Sequence, residues 1–168
     1  EVLTNPERHA ELDGSGFVRS DEKTDRIQAV GDVFTMNMSG DHMGGEYQTD
    51  NRVTGYAKDK LLAWQTAPAG TEPPGWEWVW ELEAQGPDKT LVRHTYDWSK
   101  VTDKDLLQKV KFPLVTPDQL QAVAVAGAAS NTTDHQVRPV SDRPVSLTET
   151  TPGVSAMAAL RSPLPITV

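Results

Sequence analysis

The chain has no cysteine among its 168 residues, which removes a disulfide framework, a thiolate nucleophile and thiolate metal ligands from consideration. No apolar run approaches the roughly 20 residues that carry a helix across a bilayer. Basic residues are also scarce, with 16 Lys and Arg against 24 Asp and Glu for a net charge of -8. That charge lies within residues 1–129, because residues 130–168 carry three acids and three bases. Without a basic stripe, no nucleic-acid partner is expected. A glycine-rich phosphate loop and a Ser-His-Asp arrangement are likewise missing. His42, Glu46 and Asp50 are ligand-type residues, but Gly44-Gly45 places them in a loop without metal-site spacing, so neither a metal nor a cofactor is expected. The expected location is the cytoplasm.

Aromatic residues are absent beyond residue 129, where Ser, Thr and Pro dominate, including Pro139, Pro144, Pro152, Pro163 and Pro165. Such a stretch buries too little apolar surface to offset its chain entropy. The chain therefore divides into a domain over 1–129 and a disordered or loosely attached tail over 130–168.

What is present is alternation. Trp76-Glu77-Trp78-Val79-Trp80-Glu81-Leu82 sets three indoles and a leucine on one face of a strand and two carboxylates on the other. Phe34, Met36 and Met38 share a face of 32–38; Leu62 and Trp64 share one of 60–66; Val92, His94, Tyr96 and Trp98 share one of 90–98; and 47–56 is a further strand with Asn51 and Val53 on one side. Gly31, Pro68-Ala69-Gly70, Pro73-Pro74-Gly75 and Gly86-Pro87-Asp88 punctuate these runs. Residues 26–98 thus read as five consecutive antiparallel strands in a meander.

Helices are expected on either side. Asn5-Pro6-Glu7 starts a short one that ends at Asp13-Gly14. Thr102 is placed to cap a helix running from 103 to 110. Thr116-Pro117-Asp118-Gln119 combines a capping box with proline at the first position, and Leu120, Val123, Ala124 and Gly127 follow on one narrow face.

Taken together, Leu3-Thr4-Asn5-Pro6-Glu7-Arg8-His9-Ala10-Glu11, Val30-Gly31-Asp32-Val33-Phe34, Asn51-Arg52-Val53-Thr54, Leu62-Ala63-Trp64, Trp78 to Leu82 and His94-Thr95-Tyr96-Asp97-Trp98 resemble the START-like superfamily of polyketide cyclases/dehydrases and lipid-transport proteins, SRPBCC, over about residues 1–126. The resemblance implies an α+β helix-grip fold, in which a curved antiparallel sheet packs around a C-terminal helix over a hydrophobic cavity. The family's first strand is expected to precede Glu1, leaving the domain N-terminally truncated. The tail is atypical of the family.

On this reading the cavity wall would be Phe34, Met36, Met38, Trp64, Trp78, Trp80, His94, Tyr96 and Trp98. Aromatic walls suit apolar ligands, and methionine adapts to varied shapes. Ordinary core packing explains the same residues, and a satisfied half-buried histidine is the commoner fate of a residue such as His94. His9 reads as a surface helix residue. Three functions follow as expectations: binding or transport of a small hydrophobic ligand (a lipid, polyketide or aromatic metabolite); a cyclase/dehydrase-type enzyme with His94 or Tyr96 moving protons; and a chaperone-activator-like module that binds protein.

Overall fold

The computed structural model describes residues 2–86, 89–116, 118–120, 122–123 and 154–161. Among them, seven strands form one sheet in chain order: β1 (Val18–Asp21), β2 (Val33–Gly40), β3 (Gly45–Ala57), β4 (Leu61–Pro68), β5 (Glu77–Gly86), β6 (Lys89–Asp97) and β7 (Val154–Arg161). Strands β1 to β6 pair antiparallel with their sequence neighbours and curl into a half barrel, giving an α+β fold with few helices. Strands β2 to β6 fall where the alternation places them. β1 was not expected, because its four residues are too few to display a period.

The turns follow backbone chemistry. Gly44 and Gly45, with φ of 82° and 123°, reverse the chain between β2 and β3. Gly75 has φ of 118°, and a Cβ there would lie 2.8 Å from the Lys100 carbonyl oxygen. Only glycine lets the chain pass Lys100 and deliver Trp76 to the interior.

At the N-terminus a 3-10 turn, Pro6–Arg8, leads into α1 (His9–Leu12). Asn5 occupies the capping position, but its side chain makes no capping hydrogen bond. After the sheet comes α2 (Lys104–Val110), capped by Asp103 rather than Thr102. The Asp103 carboxylate accepts from the Asp105 and Leu106 N–H groups at 2.9 and 3.0 Å. The capping box at Thr116 forms in both directions. The Gln119 N–H donates to Thr116 Oγ1 at 3.2 Å, and the Thr116 N–H donates to Gln119 Oε1 at 2.9 Å. Residues 118–120 and 122–123 are helical. The expected continuation through Ala124 and Gly127 lies outside the described residues.

The core falls into three clusters on the concave side. One joins Trp76, Tyr96 and Trp98 to Val101, Val115 and Leu120; another joins Ile27, Phe34, Met36, Val53 and Leu62; the third joins Trp80 and Val92. Residues 101–123 therefore cover the β5–β6 half of the sheet.

The tail departs from expectation at 154–161, where β7 pairs in parallel with β6 from Thr90↔Val154 to Asp97↔Arg161. The free edge of β6 presents backbone donors and acceptors that a returning segment can satisfy with its own main chain. The rest of 130–168 lies outside the described residues. Among the described residues, no helix is long and apolar enough to cross a membrane.

Candidate functional site

Cross-strand register builds the concave wall. Phe34 lies opposite Asn51, which lies opposite Thr66; Trp64 lies opposite Trp78, which lies opposite Tyr96; and Leu62 lies opposite Trp80, which lies opposite His94. Most of these residues line a partly open cavity of about 210 Å³. Of the nine residues the sequence singles out for the wall, Phe34, Met36, Met38, Trp64, Trp78, Trp80, His94 and Tyr96 line it. Trp98 does not. It is buried on the same side as Tyr96, but it is taken up by core packing, stacking on Phe112 at 5.9 Å beside α2.

The wall has two chemically distinct ends. At the β2–β4 end, polar side chains are matched. Buried Asn51 accepts from Thr66 Oγ1 at 2.6 Å and donates through Nδ2 to the Phe34 carbonyl at 3.2 Å. His9, expected at the surface, is instead buried here. Its Nε2 meets the Leu3 carbonyl at 2.7 Å, and its ring stacks on Trp64 at 5.5 Å and meets Phe34 edge-on at 5.2 Å. Burial lowers the His9 pKa, so the neutral ring donates to Leu3.

At the β5–β6 end the rings interleave as a stack. Trp80 and His94 lie 3.9 Å apart, His94 and Trp78 5.6 Å, and Trp78 and Tyr96 4.1 Å, with interplanar angles of 16°, 24° and 13°. Offset stacking of this kind adds about 0.5–1.5 kcal/mol per pair beyond burial. The polar atoms on these ring edges are Trp80 Nε1, both His94 nitrogens and the Tyr96 hydroxyl. All are buried and none has a hydrogen-bond partner. Each such group costs about 1–3 kcal/mol when left unpaired. Desolvation lowers the His94 pKa to about 3, opposed only weakly by the nearby Leu120 backbone, which makes no hydrogen bond of good geometry. Desolvation likewise raises the Tyr96 pKa. Both side chains are neutral across the physiological range.

The cover contributes Val110, Leu114, Val115, Leu120 and Val123. Near Phe17, His42 and Tyr47 add a polar contact of 3.4 Å between the Tyr47 hydroxyl and His42 Nε2. Among the described lining residues none is Lys or Arg, and Asp13 is the one carboxylate, occupied by Ser15 and Val18. No group of three or more His, Cys, Asp or Glu among the described residues could hold a metal ion. His9, Thr49 and Asn51 line the cavity but were not anticipated as site residues. Asn51 had the available signal, an amide on the inward face of a strand beside Val53.

No protein-family model matches the chain, and no solved structure does. The chain is similar to two uncharacterized proteins of Mycobacterium tuberculosis: Rv0088 of strain ATCC 25618 / H37Rv, 35% identical over 97 residues, and MT0096 of strain CDC 1551 / Oshkosh, 34% identical over 97 residues. Each match covers 58% of this chain and 40% of the relative, so the matched region spans about two fifths of the curated relatives' length.

Proposed function

We propose that this protein is a cytoplasmic START-like binding or transport domain that holds a small hydrophobic molecule, such as a lipid, polyketide or aromatic metabolite, between its curved sheet and a C-terminal helix in the helix-grip manner. The observation that carries this reading is the apolar cavity of about 210 Å³, walled by Trp64, Trp78, Trp80, Phe34 and three methionines. Concave, mostly apolar spaces with a few placed polar groups are the usual form of small-molecule sites. Native mass spectrometry of the protein purified from cells tests it directly. A retained small molecule of low polarity is the expected result, and protein that is empty and takes up no apolar probe overturns the reading.

A second reading, a cyclase/dehydrase-type enzyme, is favoured by the placement of His94 and Tyr96 on one wall. Their side chains lie two residues apart on one face of β6, about 6.5–7 Å along the strand. Acid/base catalysis works best when the catalytic pKa lies near the working pH. A histidine held near 3 is a poor base, and a phenol pushed upward is a poor acid. Binding is therefore preferred over turnover. Assay of hydroxylated aromatic or polyketide substrates with wild type, His94→Gln and Tyr96→Phe separates the two. A wild-type rate well above background that falls about a hundredfold in either variant favours the enzyme.

A further inference from the structure

The β2–β4 end of the cavity has committed most of its side-chain hydrogens, and what it has left defines a ligand chemistry. The Asn51 amide is oriented by two main-chain carbonyls, which can only accept: Nδ2 donates to the Phe34 carbonyl at 3.2 Å and to that of Thr49 at 3.4 Å. Oδ1 is therefore the atom that meets Thr66, and at 2.6 Å the Thr66 hydroxyl is the donor. A threonine hydroxyl has one hydrogen and two lone pairs. Thr66 has spent the hydrogen, so toward anything else it can only accept. His9 is in the same position, with Nε2–H given to the Leu3 carbonyl and a lone pair left on the ring. The Thr49 hydroxyl keeps its hydrogen, but that residue is buried, with 7% exposure. Thr66 is half-buried and lines the cavity.

We propose, building on the binding reading above, that Thr66 Oγ1 is an acceptor subsite for an uncharged N–H or O–H group on an otherwise apolar ligand. Thr66 faces inward on β4 opposite Asn51, with Trp64 and Pro68 on the same face. Phe34 lies opposite Asn51 on the other side and meets Trp64 edge-on at 5.5 Å, so apolar ring surface adjoins the hydroxyl. Asn51 acts as a positioning residue. By taking the Thr66 hydrogen it fixes which way the hydroxyl points and makes its oxygen a better acceptor, since hydrogen bonds in a chain strengthen one another. Charge of either sign is excluded. Among the described lining residues no lysine or arginine balances an anion, and the one carboxylate, Asp13, is held by Ser15 and Val18, so a cation would also lie unpaired. A ketone or ether oxygen would meet the Thr66 lone pairs and gain nothing. The class selected is an N–H heterocycle, a phenol or an alcohol.

Three fused bicycles of nearly the same size test the subsite: indene, which has no polar group; indole, which only donates; and benzofuran, whose ring oxygen only accepts. A dry cavity of about 150 Å³ holds benzene, and the larger space here takes a second fused ring. Dissociation constants come from NMR titration of the full chain at neutral pH. Indole is expected tightest, by about fivefold over indene, as one added hydrogen bond implies, with benzofuran within about twofold of indene. Thr66→Val replaces the hydroxyl with a methyl of similar size that also covers Asn51 Oδ1, and should bring the indole-to-indene ratio to about one. Thr66→Ser restores the hydroxyl and should hold the ratio above about threefold. If the valine variant does not fold, the order of the three probes on wild type still decides. Equal binding of indole and indene overturns the subsite and leaves the binding reading standing, as does tightest binding of benzofuran or an unchanged ratio in folded Thr66→Val. Failure of all three probes to bind overturns both.

Discussion

The β2–β4 and β5–β6 ends of the cavity are built from the same materials, inward-facing aromatic and polar side chains on a curved sheet, yet they treat their polar atoms oppositely. At the first end Asn51 is held by Thr66 and the Phe34 carbonyl, and His9 by the Leu3 carbonyl. At the second, four buried atoms on Trp80, His94 and Tyr96 are left without partners. A fold tolerates an unpaired buried group only at a cost of about 1–3 kcal/mol, and such groups concentrate where something other than the fold completes them. The contrast separates an end whose polar groups the fold pairs from one whose polar groups it leaves unpaired. Substitutions at the two ends should therefore differ in sign.

The largest expected effect is in acid. His94 has its pKa lowered from 6.5 to about 3 in the folded protein. The unfolded chain gains this proton near pH 6.5 and the native state only near 3, so the unfolded state binds more protons within that window. Stability is full above about pH 6.5 and falls by about 1.4 kcal/mol per pH unit below it. From pH 7 to pH 4 this one group should cost about 3 kcal/mol. His94→Phe keeps the stack and removes the titration, so urea unfolding of the variant should lose about that much less between the two pH values. Parallel pH profiles for wild type and His94→Phe would show that the ring is not buried neutral.

Next, Asn51→Leu at the matched end should destabilise by about 2 kcal/mol, because it orphans the Thr66 hydroxyl and the Phe34 carbonyl. Thermal or chemical unfolding at neutral pH measures it, and a neutral result would mean that this end is not matched after all. Tyr96→Phe at the unmatched end should have the opposite sign. It stabilises the ligand-free protein by about 1 kcal/mol, since it removes a buried hydroxyl that bonds to nothing. Destabilisation of similar size would reveal a partner for that hydroxyl. The smallest effect belongs to Trp98→Phe. Its ring lies off the cavity, so probe affinity should change less than about twofold; a larger loss would put Trp98 back in the wall.

Trp98 also marks where sequence reasoning stops. Period-two alternation is a property of the pleat, so it located β2 to β6 and the shared inward side of Phe34, Trp64, Trp80, Tyr96 and Trp98, but it does not say which inward residues line the cavity and which, like Trp98, pack in the core beside it. The Thr116 capping box was legible because both partners lie within one turn. His9 was not, because its burial depends on Leu3 and on Trp64, 55 positions further along the chain, while the four residues of α1 are too few to show an amphipathic face. The unpaired state of Trp80, His94 and Tyr96 was illegible for a similar reason. Alternation gives the direction of a side chain, whereas satisfaction depends on everything packed around it.

The strictly sequential pairing of β1 through β6 bears on the order in which the site assembles. Each hairpin joins strands that are neighbours in the chain and closes only a short loop, at a small entropic cost that grows slowly with length. Local contacts of this kind form quickly. The cover from Val101 to Val123 comes from later sequence and has no surface to dock on until β5 and β6 exist. The concave wall is thus exposed to solvent before its cover arrives. If the domain binds a hydrophobic molecule as proposed, that molecule could be captured on the open sheet during refolding, and the loaded fraction should then depend on whether it is added before or after the chain folds.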